Sequence, residues 1–304
     1  MRRILFLILC FSTVKTYSQT FDQLNQMALK AGQEKKYNQA IALYNKALKL
    51  DNGNYFIYNQ LSKLYYKKNN IDSSIIYCDS TLAIAPNDTT ALYQRGYNYM
   101  DEGQFSKGGN DFMEVFLLKN KKNADAAFNL GKCYAGLKNY DKAIETYLLT
   151  LQIEPNDKYS FYELGLCYAS LADTKNALKY YSKAIDQDQN YFSPYFGRAL
   201  LYAAQIKDFN KAHHDFERSM EIRPKYKDSY IYNARLYSQE QEFGKAKDLL
   251  NALITIYPDD GDGYLERALV WYNIGVLNMV CKDLDKAQQL GNTGALEYKK
   301  KWCK

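Results

Sequence analysis

Between Asp125 and Leu151 the apolar residues recur at a helical interval. Leu130 and Tyr134 fall four apart, on one face of a first helix over roughly 125–137. Tyr147 and Leu151 extend the apolar stripe of a second helix over roughly 140–151. Glu154-Pro155-Asn156-Asp157 then stops it, because proline cannot continue a helix. Thirty-four residues further on, the stretch from Glu163 to Gln189 repeats the same spacing. Self-similarity at this period predicts stacked helical pairs.

With Ala124 as position 1, Leu130 and Gly131 occupy positions 7 and 8. Tyr134, Ala143, Tyr147 and Pro155 then occupy positions 11, 20, 24 and 32. Gly131 and Ala143 are small where the two helices must approach closely. The frame restarts at Phe21, Tyr55, Thr89, Lys158, Phe192, Lys227 and Gly261. The units from Thr89 and Phe192 each carry one extra residue, the latter near the turn between its helices. This pattern resembles the tetratricopeptide repeat family. The resemblance implies an all-α fold, a right-handed superhelical solenoid of about eight helix pairs, in which each pair needs its neighbours to bury both faces.

The last unit keeps Ala268 and Trp271, after which the spacing breaks. Ala287 comes seven residues later than the frame predicts, and Gly275, Gly291 and Gly294 interrupt the pattern. This ending resembles the tail of exported tetratricopeptide proteins of Bacteroidetes, here through Cys281, Asp283, Leu284, Leu290, Gly291 and Cys303. It can cap the stack, whose last apolar face must be covered. The expected layout is a signal peptide at 1–18, the repeat array at 19–274, and an irregular carboxy-terminal cap at 275–304 that continues the last repeat.

The leader reading rests on Arg2 and Arg3, the apolar run Ile4–Leu9, and small residues Thr16 and Ser18 before a cut at Gln19. The run is shorter than the roughly 20 apolar residues a spanning helix needs. No second apolar span follows, so the mature chain is expected to be soluble, without a transmembrane segment. The expected location is periplasmic or secreted, with possible association with the cell envelope. Loss of Arg2, Arg3 and Lys15 lowers the formal charge from +6 to +3. The basic balance is therefore no argument for a nucleic-acid partner.

Five cysteines remain beyond the leader. Cys133 and Cys167 share position 10, one repeat apart, and equivalent helices stack about 8–10 Å apart. That exceeds the roughly 7 Å a disulfide spans, so both read as buried filler, as does Cys78 at position 24. Cys281 and Cys303 flank the tail, with glycines between them that allow a turn. An oxidising compartment would let them form a disulfide that pins the cap. His213 and His214 are the only histidines and read as a solvated pair, with no cysteine set to complete a metal site. Asp141, Asp157, Asp173 and Asp208 sit at turns and helix starts, where acids satisfy free N–H groups. No phosphate loop or nucleophile elbow is present. No cofactor and no catalytic activity are expected.

The resemblance further implies an inner face lined by positions 2, 5, 9 and 12 of the first helices. Tyr93, Phe128, Tyr162 and Phe196 share position 5, while Tyr97, Lys132 and Arg235 share position 9. These seven are the candidate groove. Each ring is either a binding anchor or packing against a neighbouring helix, and the sequence leaves both open. The chaperone carboxylate clamp of some family members needs lysine and asparagine where this chain has Asn25 and Leu29. The function expected is an exported scaffold that binds a protein or peptide in the groove. Two other readings stand beside it: an enzyme or enzyme-associated subunit with a groove active site, and a structural spacer in an envelope complex.

Overall fold

The computed structural model describes residues 20–303, so the leader lies outside the described residues. Residues 20–33 form α1. There follow α2 (Tyr37–Leu48), α3 (Tyr55–Lys67), α4 (Ile71–Ile84), α5 (Thr89–Asp101), α6 (Phe105–Leu118), α7 (Ala124–Gly136) and α8 (Tyr140–Ile153). These belong to one compact unit that ends at Pro155. The second unit begins at Asn156. It holds α9 (Lys158–Ser170), α10 (Thr174–Gln187), α11 (Phe192–Leu201), α12 (Phe209–Ile222), α13 (Lys227–Gln239), α14 (Phe243–Ile256), α15 (Gly261–Ile274), α16 (Leu277–Gln289) and α17 (Gly294–Trp302). The described residues contain no strand. The fold is an all-α solenoid of eight helix pairs, followed by one more helix. Seven of the predicted repeat starts, from Tyr55 to Gly261, coincide with the first residue of a helix.

Several helix starts are capped by side chains. Asp157 accepts from the N–H groups of Tyr159 and Ser160, Asp173 from Asn176, and Asp208 from Lys211. The bond from Asn176 holds the Asp173 carboxyl below the usual carboxylate range. Asp141 instead lies in the first turn of α8, whose cap is Asn139. There its charge faces the positive end of the helix dipole.

Inside a pair, the residue at position 8 determines how near the second helix comes. A β-carbon on Gly131 would lie 2.7 Å from the Tyr147 ring, and one on Gly165 would lie 2.5 Å from Tyr181. Gly96 meets Phe112 in the same way, at 2.9 Å. Tyr147, Tyr181 and Phe112 are accordingly among the most deeply buried side chains. In the second unit alanine takes this place opposite Phe216 and Leu250, as Ala199 and Ala234.

The turn inside each pair is made by a left-handed residue at position 15. Lys35, Asn69, Lys138, Ala172 and Gln241 all adopt φ between 57° and 64° there. Gly103 and Gly275 do so at 72° and 87°. Gly275 is therefore the ordinary turn of the eighth pair, which corrects the expected break after Trp271. The frame continues through α16: Val280, Leu284 and Ala287 are fully buried at positions 20, 24 and 27. Valine stands where alanine was sought. The extra residue of the sixth repeat is absorbed as a π-helical turn, Tyr202–Ile206, closed by Lys207 at φ 64°. That of the third repeat appears as two successive left-handed residues, Asn120 and Lys121, after α6.

An L side chain at such a φ costs roughly 1–2 kcal/mol, whereas glycine costs about 0.5–1 kcal/mol in chain entropy. Ala172→Gly is expected to stabilise the chain by about 0.5–1 kcal/mol. Ala177→Gly, inside α10, is expected to destabilise it by about 1 kcal/mol or more. Urea titration of both variants checks the opposite signs.

Three repeats carry an arginine at position 7, and each meets an aspartate at position 23 of its own second helix. Arg95 donates through Nε and Nη2 to Asp111 at 2.9 and 2.7 Å. Arg198 does the same to Asp215 at 2.7 and 2.8 Å, and Arg267 to Asp283 at 2.8 Å twice. The third donor, Nη1, reaches back to the preceding second helix, at Asp79, Ser182 and Asn251 respectively. The three partner carboxylates are buried. This two-pronged geometry is specific to arginine, whose planar fork matches a carboxylate.

The stack ends on α17, which packs against α16. Ala295 is fully buried and Trp302 stacks on Tyr272 with ring centres 3.9 Å apart. Cys281 and Cys303 form a disulfide, with Cα atoms 5.6 Å apart. Cys78, Cys133 and Cys167 are free and buried. Burial pushes the Cys133 and Cys167 thiols up to about 12 and Cys78 to about 11, which keeps all three inert.

Candidate functional site

In the first unit, Tyr93 and Phe128 at position 5 are half-buried, each beside the position-24 ring of its own pair. Tyr93 lies 5.8 Å from Phe112, and Phe128 lies 5.6 Å from Tyr147. Tyr93 donates its hydroxyl to Asn123 Oδ1, the cap of α7, at 2.6 Å. Burial raises that phenol well above its ordinary range. Tyr97 packs edge-on against Phe112 and its hydroxyl accepts from Asn129 Nδ2 at 2.9 Å. It still shows 37% of its surface. Lys132 is half-buried.

In the second unit, Tyr162 lies 5.9 Å from Tyr181 and 5.4 Å from Tyr191. Burial pushes its hydroxyl up to about 12. Phe196 packs among Phe216, Tyr226 and Tyr232. Arg235 is exposed and donates from Nε to Glu266 at 3.0 Å, a contact that holds the guanidinium charged. One part of each position-5 ring packs on its second helix, and the remainder stays accessible.

Other rings are more open. Phe56 and Tyr159, at position 2, show 42% and 51% of their surface, and Tyr232, at position 6, shows 40%. The signal for Phe56 and Tyr159 was present in the frame, because position 2 belongs to the implied inner face. Two clefts open between successive first helices. One, of about 430 Å³, lies against α1, α3 and α5 and includes Leu29, Gln60, Lys63 and Tyr66. The other, of about 320 Å³, lies between α13 and α15 and includes Arg235, Ser238, Glu266 and Leu269.

His213 departs from the solvated pair expected. It is 8% exposed, stacked on Tyr237 at 3.7 Å, and hydrogen-bonded to Asn233 through Nδ1 and to Glu240 through Nε2. Partners 20 and 27 residues away bury it, and no spacing rule announces them. His214 is exposed. Among the described residues, no cluster of histidine, cysteine and acid side chains is arranged to hold a metal ion. None of their helices is long and apolar enough to cross a membrane.

Three stretches, residues 32–95, 124–157 and 159–191, match family models described as tetratricopeptide repeat. The chain carries tetratricopeptide repeats. The match over 124–157 spans one full repeat, from the first residue of α7 to the cap of α9. No curated protein matches the chain. Among solved structures it is similar to the C-terminal part of a TPR repeat-containing protein from Cytophaga hutchinsonii, at 21% identity and a TM-score of 0.63. That likeness covers 79% of this chain and 97% of the other. A tetratricopeptide repeat protein from Parabacteroides merdae is similar at 17% identity and 0.59, covering 80% of this chain and 96% of that one. The Cut9–Hcn1 hetero-tetramer of the APC/C is similar at 14% and 0.58, covering 88% of this chain and 53% of the matched chain. At these identities the likeness shows the shared repeat fold.

Proposed function

We propose that this protein is an exported scaffold whose first-helix face binds a protein or an extended peptide. One observation carries the reading. Large rings at positions 2 and 9, such as Tyr97 and Tyr159, stay open beside position-5 rings that are held by their own second helices. Rigid, half-exposed aromatic side chains make strong binding anchors, because they lose little freedom when a partner covers them. One similar structure, Cut9–Hcn1, is itself a complex. The leader supports delivery to the periplasm or beyond, and the Cys281–Cys303 bond supports an oxidising compartment.

Immobilised mature chain should capture a specific partner from envelope extract. Tyr97→Ala with Tyr159→Ala is expected to weaken that capture at least tenfold, since hot-spot truncations cost about 2 kcal/mol or more. The melting temperature should shift by no more than a few degrees. Unchanged capture by this double variant rejects the aromatic face as the binding surface.

A further inference from the structure

The eighth helix pair turns differently from the other seven. In those seven the residue before the second helix is polar or charged, as at Asn139, Asp173 and Asp208. In the eighth it is Val276, which gives α16 no side-chain cap. The first residue of the second helix is at least partly packed in the other seven pairs, from Tyr37 to Phe243. Its counterpart Leu277 shows 53% of its surface. Tyr272 and Ile274, just before the turn, are exposed as well. The stretch from Ile274 to Leu277 therefore places apolar side chains in water with no polar side chain among them.

The disulfide brings positive charge to the same place. Cys281 follows Leu277 by one turn of α16, on the same face, so its bond to Cys303 holds the end of α17 there. Trp302, stacked on Tyr272, ties that end to α15. The last turn of α17 carries Lys299, Lys300 and Lys301. Lys299 is neutralised by Asp285, and Asp283 is taken by Arg267. Lys300 and Lys301 are exposed. Glu297 is then the one acid of α16 and α17 left against Lys282, Lys286, Lys300 and Lys301. In the preceding turn, Glu240 faces His213 and Glu242 faces Lys245.

We propose that this turn and the lysines beside it dock the carboxy-terminal end of the second unit on the surface of an anionic phospholipid bilayer. Binding at a bilayer surface grows with the apolar area inserted and with the attraction of lysines to anionic headgroups, and this patch supplies both. Ile274 and Leu277 are the inserting side chains. Tyr272, with an apolar body and a polar tip, suits the headgroup boundary. Three side chains fall far short of the roughly 800 Å² per partner that a stable protein interface buries. A bilayer sets no such threshold, because fluid lipid closes around side chains of any shape. The surface lies on α15, α16 and α17 and does not rest on the reading of the first-helix face.

The test uses the mature chain and sucrose-loaded vesicles, either of mixed phosphatidylethanolamine and phosphatidylglycerol or of phosphatidylcholine alone, read by co-sedimentation. The chain is expected to sediment with the anionic vesicles about tenfold or more better than with the zwitterionic ones, and less so as salt is raised. Ile274→Glu with Leu277→Glu should lose the anionic vesicles about tenfold or more, and so should Lys300→Glu with Lys301→Glu. If a double variant melts early, Leu277→Gln or Lys300→Gln with Lys301→Gln replaces it and must show a loss in the same direction. Leu277→Trp places an indole on the turn, and its emission should shift to the blue on adding anionic vesicles. Tyr97→Ala with Tyr159→Ala should sediment as the wild type does. Equal sedimentation with both kinds of vesicle, full retention by the turn and lysine variants, or an unmoved indole emission overturns the proposal. So does failure to sediment with either vesicle while Leu277→Glu removes a protein captured from envelope extract, since the turn would then serve a protein partner.

Discussion

Arg198→Leu is expected to destabilise the second unit by about 3–5 kcal/mol, the largest single effect anticipated for this chain. The substitution removes the bidentate partner of Asp215, whose side chain is 2% exposed. Its carboxylate is then left in a low-dielectric site without a counter-charge. The pair itself adds little net stability, because desolvating both ions offsets most of their attraction. Arg198→Leu combined with Asp215→Thr should therefore recover most of the loss. That combination copies the fourth repeat, where Leu130 and Thr146 hold the same two positions. Urea denaturation of the wild type and of both variants measures it. If the single variant falls by less than about 1 kcal/mol, the carboxylate is reached by water and is not desolvated as its burial implies.

Reduction of the Cys281–Cys303 bond, or Cys303→Ser, is expected to cost about 2–4 kcal/mol, because the bond restricts the unfolded chain. The loss should begin at the carboxy-terminal end. The α17 helix has nine residues, fewer than the roughly 12–15 at which an isolated helix becomes even marginally stable. Undocking it would separate Trp302 from Tyr272 and shift the tryptophan emission before the rest of the chain unfolds. After mild reduction, an alkylating reagent should label Cys281 and Cys303 and spare the three thiols whose ionisation burial suppresses. Finding both tail cysteines already alkylated before reduction, in protein isolated from the envelope, would show that the bond does not form there.

The starts of seven helix pairs were legible in the residues, from Tyr55 through Gly261, as was the pairing of Cys281 with Cys303. Both depend on short-range information. In a repeat solenoid each pair packs on its sequence neighbours, so periodicity alone places the elements. The close approach at Gly131 and Gly165 was legible for the same reason: a missing side chain leaves room for one neighbouring helix. What the tertiary structure alone decided depends on how helices meet. The left-handed turns at Lys138 and Ala172 lack the glycine that would advertise them, because the packed pair supplies the energy to hold a strained φ. Val280 keeps the frame of α16 because α17 completes the core around it, a contact that no spacing rule could supply. Arg198 meets Asp215, and His213 is buried by Tyr237 and Glu240, only once separate helices are brought side by side. The sequence by itself determined where seven helix pairs begin, because that information is local. Which charges found partners was decided by the approach of separate helices, such as those that bring Arg95 to Asp111 and Arg198 to Asp215, because electrostatic neutralisation depends on distance in space.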